Sequence, residues 1–136
     1  LLGSSLMEIV HDGAEVGRLD KARLVADWPE GMAHLRVCWE TATPDSNCGT
    51  CTKCTLTKLA FMASGLPIPA SLGSPPTARR VASLRMQKSY ERAFAESLLE
   101  AATVHGLSDE PFARALRRVR RRARIRSILS SVGLRS

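Results

Sequence analysis

Four cysteines constrain this chain more than any other feature. Cys48, Cys51 and Cys54 stand at positions n, n+3 and n+6, Cys38 lies ten residues upstream, and the sequence has no other cysteine. Three thiols at that spacing converge on one point if residues 48–54 turn as a tight knuckle, and Gly49 supplies the left-handed backbone such a knuckle needs. The fourth thiol completes a tetrahedron. The expected occupant is Zn²⁺, and because four thiolates leave no coordination position for water or substrate, the expected role is structural rather than catalytic. Such a site carries a formal charge of minus two, which Arg36, Lys53 and Lys58 lie close enough in sequence to offset. Three other readings compete. An iron–sulfur cluster uses the same Cys-x₂-Cys-x₂-Cys run, although the usual bacterial pattern continues to x₃-Cys-Pro and here Thr55 follows with no later cysteine. Two disulfides suit the even count, although cysteines crowded this closely pair poorly. Unrelated buried or redox thiols are the last.

The chain of 136 residues has the length of one modest domain. It opens Leu1-Leu2-Gly3-Ser4-Ser5 without an initiator methionine, as a processed, trimmed or partial polypeptide would. No apolar run approaches the roughly 18 residues of a membrane span, and no basic start leads into an apolar core, so a soluble protein with no membrane partner is expected. Clustered thiols without a secretory signal point to a reducing compartment, which makes the cytoplasm the expected location.

The formal net charge is +7, and residues 114–126 hold eight arginines, so the remainder is close to neutral. By charge alone such a block suits nucleic-acid phosphates, acidic protein or an anionic membrane surface. Within it Arg117, Arg118, Arg121 and Arg122 are the candidates for phosphate or nucleic-acid contact, with strongly salt-dependent affinity. No aromatic residue is interleaved with these arginines, which argues against stacking on single strands. The plainer alternative is a solvated helix whose arginines pair with acids of a neighbouring domain.

Read in order, Leu6-Met7-Glu8-Ile9-Val10 has the pattern of a short buried strand, and nothing later supplies it with a partner, so the rest of its sheet is expected elsewhere. Residues 18–28 read as a helix closed by Pro29, residues 30–36 as a short helix or turn, and Leu35-Arg36-Val37 as an extended run into Cys38. After the knuckle, Leu56, Leu59, Ala60, Met62 and Ala63 mark a helix ending at Gly65. Residues 65–77 are too rich in proline and glycine for a regular element. Residues 78–104 read as one helix with a stripe of Val81, Leu84, Ala93, Phe94, Leu98, Ala101 and Ala102, ending at Gly106. Ser108-Asp109-Glu110-Pro111 starts a last helix that runs to about Ser131, with Phe112, Ala115, Leu116, Val119, Ala123 and Ile125 on its apolar face.

With the cysteines, the strand and the first helix in place, residues 9 to about 70 resemble the C-terminal end of the 7-cyano-7-deazaguanine synthase family, ATP pyrophosphatases of the PP-loop class. The family's Lys-x-x-Ile-Val helix start is matched by Lys21-Ala22-Arg23-Leu24-Val25, its aromatic-flanked Ser-Cys pair by Val37-Cys38-Trp39, with tryptophan in place of the common tyrosine, and its Cys-Gly-x-Cys-x-x-Cys knuckle by residues 48–54. Its Ala-Phe helix and Gly-x-x-Asp-Pro end are matched by Ala60-Phe61 and by Gly65-Leu66-Pro67-Ile68-Pro69, with isoleucine in place of the aspartate. The family's Ser-Gly-Gly-x-Asp-Ser ATP loop is absent.

The resemblance implies an α/β fold. Residues 1–70 would be the C-terminal end of a Rossmann-like PP-loop domain with a Cys₄ zinc knuckle, residues 71–77 a linker, and residues 78–136 a helical extension, so that this chain itself is mostly α. It implies adenylation of a carboxylate and its amination, with ATP and Mg²⁺ bound only if an N-terminal PP-loop half, on the same or another chain, supplies the site. It also places Lys21, beside Asp20, toward the cleft as a tentative substrate contact, against the alternative of a solvent-exposed Asp-Lys pair. His11-Asp12 lies at the strand's C-terminal end, where ligands gather in open α/β sheets, or forms a simple turn. His34 and His105 have no partner at metal or triad spacing, and no catalytic residue stands out. From a different class comes the second hypothesis, a non-catalytic zinc-stapled basic module that binds RNA or DNA.

Overall fold

A computed structural model describes residues 15–41, 43 and 45–131. Every regular element among them is helical: α1 Arg18–Ala26, α2 Pro29–His34, α3 Thr52–Ala63, a 3₁₀ turn at Ala70–Leu72, α4 Ala78–Ala82, α5 Ser89–Val104 and α6 Pro111–Ser131. This corrects the α/β expectation, because no strand and no sheet exist among the described residues. The strand expected at residues 6–10 and the His11-Asp12 pair lie outside them.

The extended run before Cys38 shows why no ladder forms there. The N–H of Val37 donates to Asn47 Oδ1 (2.9 Å), while the carbonyl of Leu35 accepts from Asn47 Nδ2 (2.7 Å) and Ser71 Oγ (3.0 Å). Side chains, not a neighbouring strand, satisfy this backbone.

Local chemistry sets the helix ends. Glycine stands at position 31 because a Cβ there would overlap the Trp28 ring, which closes α1 onto α2. α3 ends at Gly65, whose φ of +66° lets Leu66 N–H reach back to Phe61 O (2.9 Å) and Gly65 N–H to Met62 O (3.1 Å). That pair of bonds satisfies two carbonyls the helix end would otherwise leave open.

The single helix expected over 78–104 is two. α4 stops at Ala82, and Leu84 and Met86 are buried while Arg85 and Gln87 between and after them are exposed. That alternation is the two-residue period of extended chain. Glu91 then receives the N–H groups of Gln87 (2.8 Å) and Lys88 (2.9 Å) and restarts the helix as α5. In the expected stripe Ala93 is exposed, and Ala95 and Leu99 are buried in its place.

One apolar core runs from Ala22 of α1 through Leu59 and Phe61 of α3, Val81 of α4 and Leu98 of α5 to Leu116, Val119 and Ala123 of α6. α3 lies against α1 and α5, and α6 lies against α4 and α5. The core therefore continues across residues 71–77. α5 and α6 form an antiparallel hairpin of 16 and 21 residues, so the end of α6 outruns its partner. Ile125, expected on the apolar face, is 48% exposed there.

Candidate metal centre

The four thiols come together at the N-terminal end of α3. Each sulfur lies within 4.8 Å of the other three, and Cys48 Sγ is 3.9 Å from Cys54 Sγ. A tetrahedron of sulfurs about 2.3 Å from a central ion has edges of about 3.8 Å, so the four residues can hold one metal ion with only small adjustment. All four are free thiols; Cys38 and Cys54 are buried and Cys48 and Cys51 half-buried.

The knuckle is built by short-range backbone chemistry. Gly49 has φ +70°, the left-handed conformation expected of it, and a Cβ there would meet the carbonyl oxygen of Leu72 at 3.2 Å. The turn aims successive N–H groups at sulfur: Cys48 N–H at Cys38 Sγ (3.3 Å), Cys51 N–H at Cys48 Sγ (3.2 Å) and Cys54 N–H at Cys51 Sγ (3.4 Å). The last contact makes Cys51 the N-cap of α3. Donors pointed at sulfur favour thiolate, the form that binds a metal.

The thiols are not equivalent. Burial pushes Cys48 up, but the backbone N–H groups of Cys51 and Thr50 and contacts with Cys51 and Cys38 outweigh it and bring it down to about 6. Burial raises Cys51 and Cys54, with Cys48 adding to the rise at Cys51 against the contacts from Cys54, and Cys38, Cys51 and Cys48 adding to the rise at Cys54. Four thiolates thus repel one another unless a cation sits among them.

Two polar side chains lock the knuckle to the rest of the chain. Asn47 Nδ2 donates to Ser71 O (3.0 Å) as well as to Leu35 O, so one amide ties residues 35–37, the knuckle and the 3₁₀ turn. Lys58, 4% exposed, donates to Gly49 O (2.8 Å) and Ser74 O (2.7 Å), and no carboxylate pairs with it among the described residues. Buried ammonium groups need compensating negative charge, which four thiolates around a dication would provide. Arg36 Nε donates to Cys38 O (3.2 Å), and Lys53 lies over the Trp39 ring. From α4, Arg80 Nε reaches Thr55 Oγ1 (3.4 Å), which itself bonds Cys51 O (2.9 Å).

The other expected site residues are scattered. Asp20 pairs with Arg23 (2.8 Å) on the exposed face of α1. Lys21 lines a pocket of about 280 Å³ with Arg18, Lys53, Val25 and Phe61. Arg117 Nη2 donates to Ser108 O (2.7 Å), and Arg122 donates to Ala82 O, so these two brace turns. Arg118 and Arg121 are exposed. Arg121 faces a groove between α5 and α6 of about 680 Å³, lined also by Arg92, Arg117, Arg120 and Arg124 with Glu96 as its acid. His34 and His105 are exposed.

The sequence reading missed Asn47 and Ser71. Asn47 stands directly before the first knuckle cysteine, which is a signal of sorts, but its bond to a residue 24 positions away has none. No helix among the described residues is long and apolar enough to cross a membrane. No family model matches the chain, and neither the curated proteins nor the solved structures contain a match to it.

Proposed function

We propose that this chain is a zinc-stapled part of an ATP-dependent, adenylating synthase resembling the 7-cyano-7-deazaguanine synthase family, with a zinc that is structural. The observation that carries the zinc reading is the meeting of four cysteine sulfurs within 4.8 Å. That spacing suits a single ion, whereas an iron–sulfur cluster would hold the sulfurs apart by its own width. Zinc prefers four thiolates in a tetrahedron, and a closed set of ligands has nothing to offer a substrate. Cys38, Cys48, Cys51 and Cys54 hold the ion, backbone N–H donors orient three of the sulfurs, and Lys58 and Arg36 add positive charge nearby. A cytoplasmic setting, where thiols stay reduced, belongs to the same reading.

The synthase reading rests on the order and spacing of the matches from Lys21 to Pro69. In it ATP and Mg²⁺ belong to an N-terminal half on the same or another chain, and Lys21 meets the substrate carboxylate from the rim of its pocket, with Asp20 engaged by Arg23 beside it. Native mass spectrometry of the protein from its own source, followed by an assay of ATP-dependent pyrophosphate release, tests both levels. One zinc with a longer chain or a tightly held companion, and pyrophosphate release by that species, is the expected result. A chain of this length alone with its zinc and no pyrophosphate release rejects the synthase; iron with sulfide rejects the zinc.

A second reading, a non-catalytic basic module that binds RNA or DNA, is favoured by the groove between α5 and α6, where five arginines face a single glutamate. Its mark is affinity that falls steeply with salt and that Arg121→Ala with Arg124→Ala reduces for duplex and single strand alike.

A further inference from the structure

Two exposed aromatic side chains that neither the core nor the metal centre uses meet in one place. Trp39, which follows the first metal-binding cysteine, is 73% exposed, and Tyr90, in the first turn of α5, is 59% exposed. Distant in sequence, both line a cleft of about 470 Å³ between the knuckle and α5. Arg18, Lys53, Arg80 and Arg85 line the same cleft. Its acids are Glu40 and Glu91, and Glu91 is already held by the N–H groups of Gln87 and Lys88.

Positive charge is in excess here, four cations against two acids. Among the described residues the one ion pair joins Arg23 to Asp20 and engages none of these cations. Aromatic rings hold two of them instead: Arg18 lies 4.8 Å from the centre of the Phe94 ring and Lys53 lies over Trp39, while Lys88, outside the lining, lies 5.6 Å from the centre of the Tyr90 ring. A π face positions a cation without cancelling its charge. The cleft therefore offers fixed cations next to exposed ring surface.

A ligand that uses both needs anions at regular intervals and flat faces between them. An acidic peptide has the charge but not the faces, and a duplex buries its base faces in its own stack. Single-stranded nucleic acid has both. We propose that this cleft binds single-stranded nucleic acid, with bases stacked on Trp39 and Tyr90 and phosphates facing Arg18, Lys53, Arg80 and Arg85. Ser89 and Arg92, on the same first turn of α5 as Tyr90, border the arginine groove, so a strand passing Tyr90 continues toward α6. The proposal rests on the second reading above in taking nucleic acid as the partner, and it adds which form is bound and where the bases lie.

The test uses the intact metal-loaded chain with two fluorescent probes, a short oligouridylate and a short RNA duplex, followed by anisotropy at low salt. The oligouridylate should bind more tightly than the duplex. Trp39→Ala and Tyr90→Ala should each weaken the oligouridylate about tenfold and leave the duplex unchanged. In a Trp28→Phe background the single strand should quench Trp39 emission, a sign of stacking that charge alone does not give. Both side chains are exposed, so metal content and helicity should stay as in the parent. Equal binding of the two probes, unaffected by the aromatic variants but lost with Arg121→Ala and Arg124→Ala, would keep the arginine-groove reading and overturn the cleft. Competition by oligoglutamate as effective as by unlabelled oligouridylate would also overturn it. Failure of both probes to bind would remove the cleft and the groove together.

Discussion

Residues 35–74 and residues 89–131 solve the same problem by different means. In the second region nearly every backbone group is paired inside α5 or α6, and apolar contacts of Leu98, Leu99, Leu116 and Val119 with a set of buried alanines hold the two helices to each other and to the core. The first region contains one long helix, α3, whose Leu59, Ala60 and Phe61 belong to the main core, and on either side of it irregular chain with one 3₁₀ turn. The apolar cluster of that irregular chain amounts to Cys38, Cys54 and Leu72 with a few partly buried neighbours. What holds it is polar: the amide of Asn47, the hydroxyl of Ser71, the ammonium of Lys58 and four sulfurs at one point. Where helices satisfy the backbone, burial suffices. Where they do not, side chains and an ion have to take over, and the order of that region is tied to the ion.

The sharpest way to separate the two regions is Cys54→Ser, at a fully buried ligand. Structural zinc contributes on the order of 10–16 kcal/mol of apparent binding free energy, so its loss should release the order of the chain on either side of α3, residues 35–51 and 65–74. Hydrogen exchange and metal analysis of the variant should show no bound ion and rapid exchange there, with protection retained in α5 and α6. The converse change is Leu116→Ala, at a fully buried position of α6. It should cost about 3 kcal/mol in denaturant unfolding while the protein still binds one metal ion.

Lys58→Met probes the link between the polar lock and the ion. Removing the ammonium deprives Gly49 O and Ser74 O of their donor, at a cost of about 2 kcal/mol. If the ion's negative surroundings stabilise Lys58, the variant should also surrender its metal to a chelator at lower chelator concentration than the parent does. Equal chelator resistance would mean that Lys58 serves the backbone alone. Thr77→Ala is the smallest effect: its hydroxyl accepts the N–H of Arg80 (3.1 Å) at the start of α4, and its loss should lower the midpoint of thermal unfolding by the equivalent of about 1 kcal/mol.

The two regions also differed in how far the sequence foretold them. α1, α3 and α6 were readable because apolar residues recur at helical spacing and Pro29, Gly65 and Ser108-Asp109-Glu110-Pro111 mark their ends. The meeting of the four sulfurs was readable because the spacing of the cysteines and Gly49 are local facts. The break between α4 and α5 was not, because Arg85-Met86-Gln87-Lys88 carries no proline or glycine, and only the burial of both Leu84 and Met86 forces the chain out of the helix. Nor were the bonds of Asn47 and Lys58 to Ser71 and Ser74, which depend on residues 69–74 folding back over the knuckle. The expectation of a sheet came from a run of four apolar residues around Glu8 near the start and from the resemblance, neither of which says anything of how Leu35 and Val37 satisfy their backbone groups. The presence of Trp39 and Tyr90 in one cleft was hidden for the same reason: it depends on how two regions pack, not on a pattern within one.

X-ray absorption at the metal edge of the protein isolated from its own source tests the central claim most directly, since it identifies the ion and counts its ligands in one experiment. The account predicts one zinc per chain with four sulfurs at about 2.3 Å and no nitrogen or oxygen in the first shell. A shell containing oxygen or nitrogen, an iron edge with iron–iron scattering, or a protein folded over residues 35–74 with no metal at all would contradict it.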